Sequence, residues 1–231
     1  MNIVRTPFLI LLLLASISCQ PKNKSDKQEV AQKEVSETHV ATKLSAEQLQ
    51  EYETAYFASG CFWCVEAIFE SVKGVKEVYS GYSGGSEKNP TYQQVSYGRT
   101  SHAEAVEVYY DPNAISFTQL VQVFFGSHDP TTLNRQGPDR GAQYRSIAFY
   151  KNDKQKKIIQ DYIDKLEAEN LYGDRAIVTE VKPFDKFYMA EAYHQDYEKR
   201  NPNNSYIRNV SIPRLNRFKK NFESYLKEDA H

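Results

Sequence analysis

From Tyr56 onward the chain alternates between two hydrophobic periods. Tyr56-Phe57-Ala58 is a short apolar run and reads as a buried strand, while Val65, Ile68, Phe69 and Val72 repeat at the spacing of one helix face. Gly60 lies where the period changes, which predicts strand, tight turn, helix. Val75 to Tyr82 reads as a strand running into the glycine-rich turn Gly81-Tyr82-Ser83-Gly84-Gly85, and Glu104 to Tyr110 as another, stopped by Asp111-Pro112. Ser116 is placed to cap a helix carrying Phe117, Leu120, Val121, Phe124 and Phe125 at core spacing. Tyr144 to Tyr150 predicts a strand. Asp153 is read as the cap of a second long helix with Ile159, Tyr162, Ile163 and Leu166 on one side, ending near Gly173. Ala176 to Val181 predicts a further strand, and Pro183 to Ser211, polar, aromatic and Asn-rich, reads as ordered loop. Strands alternating with helices at this length argue a sheet with helices packed on it, a two-layer α/β or α+β fold.

Residues ahead of this region obey other rules. Phe8 to Leu14 is an apolar block too short to span a bilayer as a mature helix; it follows Arg5 and leads through Ala15, Ser16 and Ser18 to Cys19. This reads as a secretory signal, residues 1–19. Cys19 after small residues resembles a bacterial lipoprotein processing site, with Ser16 where Leu is usual, and the alternative is ordinary cleavage without lipidation. Residues 20–45 are rich in Lys, Glu, Gln, Ser and Thr without an aromatic and read as a tether. Leu44 to Tyr52 predicts a short leading helix, and 46–231 is one folded domain with its globular part from Thr54 to Phe222. The expected location is the cell envelope or periplasm, anchored to a membrane through Cys19.

Composition narrows the functional classes. A net charge of −1 with 26% charged residues gives no electrostatic pull toward nucleic acid, and 17 Tyr with 12 Phe offer rings and hydroxyls for a pocket as well as for packing. The chemistry centres on Cys61-Phe62-Trp63-Cys64, a C-x-x-C opening a predicted helix. Buried cysteines are often inert, but redox and metal chemistry both use this spacing. A thiol at a helix N-terminus meets unpaired N–H groups and the positive end of the dipole, which predicts a lowered pKa for Cys61. Cys64 lies one turn on, within disulfide reach if the first turn adjusts. Glu104 shares parity with Val106 and Val108 while Glu107 faces the other way, so Glu104 is expected at the edge of the core face, partly desolvated and poised as an acid. Asp139 sits in a turn-rich segment and is weak evidence by itself. His102, His128 and His194 fit no compact zinc spacing with the cysteines, and no metal is expected.

Gly60-Cys61-Phe62-Trp63-Cys64-Val65-Glu66 resembles the signature of the peptide methionine sulfoxide reductase A family. Gly81 to Gly85, Asn89-Pro90-Thr91-Tyr92, His102-Ala103-Glu104, Tyr110-Asp111-Pro112, His128-Asp129-Pro130, Arg135-Gln136-Gly137 and Gln143-Tyr144-Arg145-Ser146 resemble family segments in order. The resemblance covers about Tyr56 to Asn201. It implies a ferredoxin-like sheet and reduction of the S epimer of methionine sulfoxide. Cys61 would be the nucleophile, Glu104 the acid, Tyr92 and Tyr144 hydrogen-bond donors to the sulfoxide oxygen, Phe62 and Trp63 the wall for the methyl group, and Asp139 a neighbour of the catalytic cysteine. Unlike many members, the chain has no cysteine in its C-terminal region, which leaves Cys64 as the resolving thiol within the domain or an external thiol in its place. The implied partners are a thioredoxin-like dithiol donor and oxidised proteins, with no bound cofactor and a monomeric enzyme. The alternatives are a dithiol oxidoreductase acting on protein disulfides, against which the bulky Phe62-Trp63 pair speaks, and a non-catalytic lipoprotein with a structural C-x-x-C.

Overall fold

A computed structural model describes residues 44–230; the expected signal, Cys19 and all but the end of the expected tether lie outside the described residues. The folded part is built on β1 (Glu53–Ser59), α1 (Phe62–Glu70), β2 (Val75–Ser83), α2 (Tyr92–Ser96), β3 (Ala103–Tyr110), α3 (Phe117–Gly126), β4 (Ser146–Tyr150), α4 (Asp153–Ala168), β5 (Glu180–Pro183), β6 (Phe187–Met189) and α5 (Ile212–Asn221). In the six-stranded sheet β3 lies between β1 and β2, β4 pairs with the other side of β1, and β5 and β6 form the two edges. All pairings are antiparallel except the parallel β4–β5 edge. The central order β4-β1-β3-β2, with α1 after β1 and α3 between β3 and β4, is the ferredoxin-like arrangement expected.

Alternation assigns each strand residue to a face. Ala55, Phe57, Val106 and Val108 join Ile68 and Phe69 of α1, Leu120 and Phe124 of α3 and Ile159 of α4 in the main core. Tyr56, Ala58, Ala105, Ile147 and Phe149 point the other way and are covered by Phe184 and Phe187. Tyr56 stacks on Phe184 with ring centroids 3.6 Å apart. Both faces of β1 are therefore buried, which explains why its apolar run is continuous rather than alternating.

Several local expectations shift. The leading helix shrinks to Ala46–Leu49, capped by Ser45. The long helix is capped by Asn152, whose side chain accepts from the N–H of Gln155 at 3.0 Å, and not by Asp153, which lies in its first turn. It ends at Ala168, before Gly173, because Asn170 takes a left-handed conformation with φ 50°. The strand expected over 176–181 begins only at Glu180: the N–H of Val178 donates instead to the carbonyl of Pro130 at 2.8 Å. Residues 142–144 form a 3-10 turn rather than the start of β4. The segment read as loop from Pro183 to Ser211 contains β6, short helical turns at 192–194 and 197–200, and a π-helical turn, Ile207–Ser211, that runs into α5.

Candidate active site

The turn between β1 and α1 needs its glycine. Gly60 has φ +90°, and a Cβ there would lie 2.6 Å from Cβ of Gln136, in the small hairpin that carries Asp139. Cys61 follows as the N-cap residue of α1. The main-chain N–H of Phe62, first in the helix, donates to Oε2 of Glu104 at 3.0 Å. A carboxyl group from the middle of the sheet thus occupies the helix N-terminus beside Cys61.

Glu104 is 2% exposed, deeper than the strand-edge position expected from its parity. Burial pushes its pKa from 4.5 up to about 8; the Phe62 N–H pulls the other way, and Asp139 adds to the rise. Desolvation outweighs the helix terminus, so this carboxyl holds its proton at neutral pH. The same competition overturns the expectation for Cys61. At 6% exposure, its thiol is pushed up rather than down, first by burial and then by its neighbour Cys64. The helix terminus alone does not make a standing thiolate in a pocket this dry. Of the two sulfurs it is Cys64 whose pKa falls, through the hydrogen bond from Cys61 first, and then through the Arg214 charge, the Ser211 hydroxyl and the Tyr206 hydroxyl against its own burial. Cys61 and Cys64 are both buried and unbridged.

Cys61, Phe62, Trp63, Tyr92, Glu104, Asp139 and Tyr144 line one cleft of about 320 Å³, joined by Asn204, Ser205 and Tyr206. Of the catalytic, resolving and substrate-binding residues expected from the sequence, all but Cys64 line this cleft, and Cys64 is buried in the main core. Tyr92 opens α2, whose first N–H is fixed by Glu191 Oε1 at 2.9 Å. Tyr144 is delivered by the 3-10 turn after Gly141. Burial raises the pKa of both phenols, Tyr92 to about 12, so they remain hydrogen-bond donors. Trp63 is held by a hydrogen bond from its indole N–H to Nδ1 of His194 at 3.1 Å and by stacking on Tyr197 at 3.8 Å. Phe62 completes the apolar wall against Tyr92 and His194. The loop carrying His194 is itself tied down by Gln195, whose amide both accepts from Ser80 N–H and donates to Ser80 carbonyl, each at 2.9 Å.

Sequence reasoning missed the contribution of the last third of the chain. Tyr206 donates to Oδ2 of Asp139 at 2.6 Å and sits 3.8 Å from the Cys64 sulfur. Arg214 is buried, donating to the carbonyls of Ser127 at 2.9 Å and Ser59 at 3.0 Å. The apolar spacing Ile212, Leu215, Phe218 was the available signal for the helix that carries it. His102 and His128 are structural: His102 caps Gly85 and Glu87 backbone groups, and His128 bridges the Phe124 carbonyl and the Ser146 hydroxyl.

The family model for peptide methionine sulfoxide reductase matches residues 53–226, a span that contains the entire cleft. The chain belongs to the peptide methionine sulfoxide reductase family. Peptide methionine sulfoxide reductase MsrA 1 of Rhodopirellula baltica is 52% identical over 175 residues, 76% of this chain and 90% of that protein. The MsrA of Haloquadratum walsbyi is 47% identical over 174 residues, 75% of this chain and 98% of its own. Among solved structures, methionine sulfoxide reductase A of Corynebacterium diphtheriae superposes with a TM-score of 0.59 at 38% identity, covering 66% of this chain and 76% of that one. Reduced Mxr1 of Saccharomyces cerevisiae gives 0.61 at 34%, covering 67% and 88%. The family's fold is therefore this fold.

Proposed function

We propose that this chain reduces the S epimer of methionine sulfoxide, free or within peptides, to methionine, with Cys61 as nucleophile and Glu104 as acid. The observation that carries the reading is the meeting, in one apolar-walled cleft, of a buried thiol and a carboxyl held protonated at neutral pH. A sulfoxide oxygen leaves its sulfur only as it is protonated, so the acid and the thiol have to act together. Cys61 Sγ attacks the sulfoxide sulfur, and Glu104 gives its proton to the oxygen. The oxygen transfers to Cys61 as a sulfenic acid, the thiol proton replenishes Glu104, and methionine leaves reduced by two electrons. Tyr92 and Tyr144 donate hydrogen bonds to the oxygen during the transfer, and Phe62 and Trp63 hold the methyl group. Asp139 acts through Tyr206, whose hydroxyl donates to it and lies 3.8 Å from the Cys64 sulfur.

Cys64 then resolves the sulfenic acid. A Cys61–Cys64 bond forms, the S–O bond breaks, and the oxygen leaves as water with the Cys64 proton. An external dithiol of the thioredoxin type returns two electrons and two protons by exchange. Residues 1–19 act as a secretory signal with Cys19 as a lipid attachment point, and residues 20–45 as the tether; on this reading the enzyme repairs oxidised proteins of the cell envelope. The test is an epimer-resolved assay with dithiothreitol as reductant. Wild type converts the S epimer and Cys61→Ser does not; an S epimer left untouched by protein that instead reduces insulin disulfides overturns the reading in favour of disulfide exchange.

A further inference from the structure

A buried guanidinium is costly unless an anion answers it. Arg214 is buried in α5 against the end of β1 and the end of α3, and its hydrogen bonds all go to neutral oxygens: the Ser127 carbonyl at 2.9 Å, the Ser59 carbonyl at 3.0 Å and the Ser59 hydroxyl at 3.3 Å. Nη1 comes within 3.5 Å of where a side chain on Gly60 would begin, so the charge sits under the turn that presents Cys61. These bonds to neutral oxygens fix the cation in place, and its charge is left to act on the acidic groups within reach, Cys64 and Asp139.

We infer that Arg214 is a positioning residue for the resolving step, its fixed positive charge being the counter-charge under which Cys64 attacks the Cys61 sulfenic acid as a thiolate. This rests on the reading of Cys64 as the resolving thiol. The groups facing Cys64 come from every element around it. Cys61 shares its turn, Glu104 approaches from β3, Tyr206 stands 3.8 Å away with Asp139 behind it, and Ser211 and Arg214 come from the C-terminal helical segment. Arg214 is a cation that acts on Cys64 among the described residues, and its charge also reaches Asp139 and depresses the pKa of His128, which burial already keeps neutral. Cys64 releases its proton to solvent as it ionises, the thiolate forms the S–S bond with its electron pair, and the sulfenic oxygen departs as hydroxide and takes a proton back from solvent to become water. The C-terminal segment carries no cysteine; it supplies the charge and the hydroxyls that one of α1's own cysteines needs.

The experiment gives reduced full-length protein one equivalent of S-methionine sulfoxide without reductant, with acid quenching across pH 6 to 10. Methionine is counted by chromatography and the disulfide by differential alkylation and peptide mapping. Wild type forms methionine and then the Cys61–Cys64 bond. Arg214→Met is expected to form methionine within about three-fold of the wild-type rate but to form the disulfide several-fold more slowly at pH 7, because Cys64 loses one of the groups that favour its thiolate. The deficit closes near pH 9, and Arg214→Lys restores most of the rate. Equal slowing of both steps, or a disulfide rate with the wild-type pH profile, overturns the inference. If the Met variant does not fold, Arg214→Gln and wild-type Arg214 are compared in the Cys61→Ser background by iodoacetamide alkylation of Cys64: an upward shift of the pH midpoint supports the role, and an unchanged midpoint refutes it. Wild-type protein that makes methionine but no disulfide identifies the failure as that of the resolving reading itself.

Discussion

Replacing Glu104 by Gln should make the protein more stable and nearly inactive. The carboxyl is fully buried and its pKa rises from 4.5 to about 8 on folding. Between those values the folded state binds a proton that the unfolded chain has released, so stability falls as pH rises through that window. At pH 7 the chain lies 2.5 units above the unfolded pKa, and at about 1.36 kcal/mol per unit the cost is about 3 kcal/mol. Gln keeps an oxygen for the Phe62 N–H but brings an amide that does not match every donor and acceptor of the acid, a loss of about 1 kcal/mol. The net gain for Glu104→Gln is then about 2 kcal/mol at pH 7, larger at pH 8 and close to zero at pH 5, or about 4–8 °C in Tm at neutral pH. Urea unfolding of both proteins at pH 5, 7 and 8 measures it. A variant less stable than wild type at pH 7 and 8, or a difference that does not change with pH, refutes the buried protonated acid. The same substitution removes the transferable proton and should lower the rate by roughly 10²–10⁴-fold; activity within a factor of three of wild type excludes Glu104 as the acid.

Gly60→Ala should destabilise the domain by about 1–3 kcal/mol, since φ +90° is strained for alanine and its Cβ meets Gln136; a change below about 0.5 kcal/mol in urea unfolding contradicts the tight packing of turn and hairpin. Trp63→Phe removes the indole hydrogen bond to His194 but keeps an aromatic wall, so KM should rise several-fold with kcat nearly kept; steady-state kinetics showing the loss confined to kcat would mean that the wall acts on the chemistry instead. If Cys19 is the lipid attachment point proposed above, Cys19→Ala should release the protein from the membrane fraction, since stable anchoring needs acyl chains; unchanged partitioning on fractionation rejects the lipid anchor.

The hydrophobic periods located the central strands and the two main helices because those elements bury regular faces. Val106 and Val108 share the main core with Phe57, and Glu104, two residues before Val106 on the same face, arrives beside Cys61 as its parity required. What parity could not give was depth: whether that position lies at the rim or fully buried depends on α2, the 3-10 turn and the C-terminal segment closing over it. The same closure reverses the charge state expected of Cys61, since helix polarity is a local signal and desolvation a tertiary one. Asp139 looked like an ordinary turn residue until Tyr206, 67 positions later, came within hydrogen-bonding distance. Residues 201–206 are polar and mask the start of the helix whose apolar face begins at Ile212, so Tyr206 and Arg214 escaped notice despite their role in the site.

The most direct measurement of the central claim is a thiol count after one turnover. Reduced protein is given one equivalent of S-methionine sulfoxide without reductant, and methionine, free thiols and cysteine peptides are quantified together. One methionine per chain, loss of both domain thiols and a mapped Cys61–Cys64 bridge are the predicted result. One methionine with Cys64 still free, and a sulfenic acid persisting on Cys61, contradicts resolution by Cys64; no methionine at all, with both thiols intact, contradicts the cleft as the reducing site.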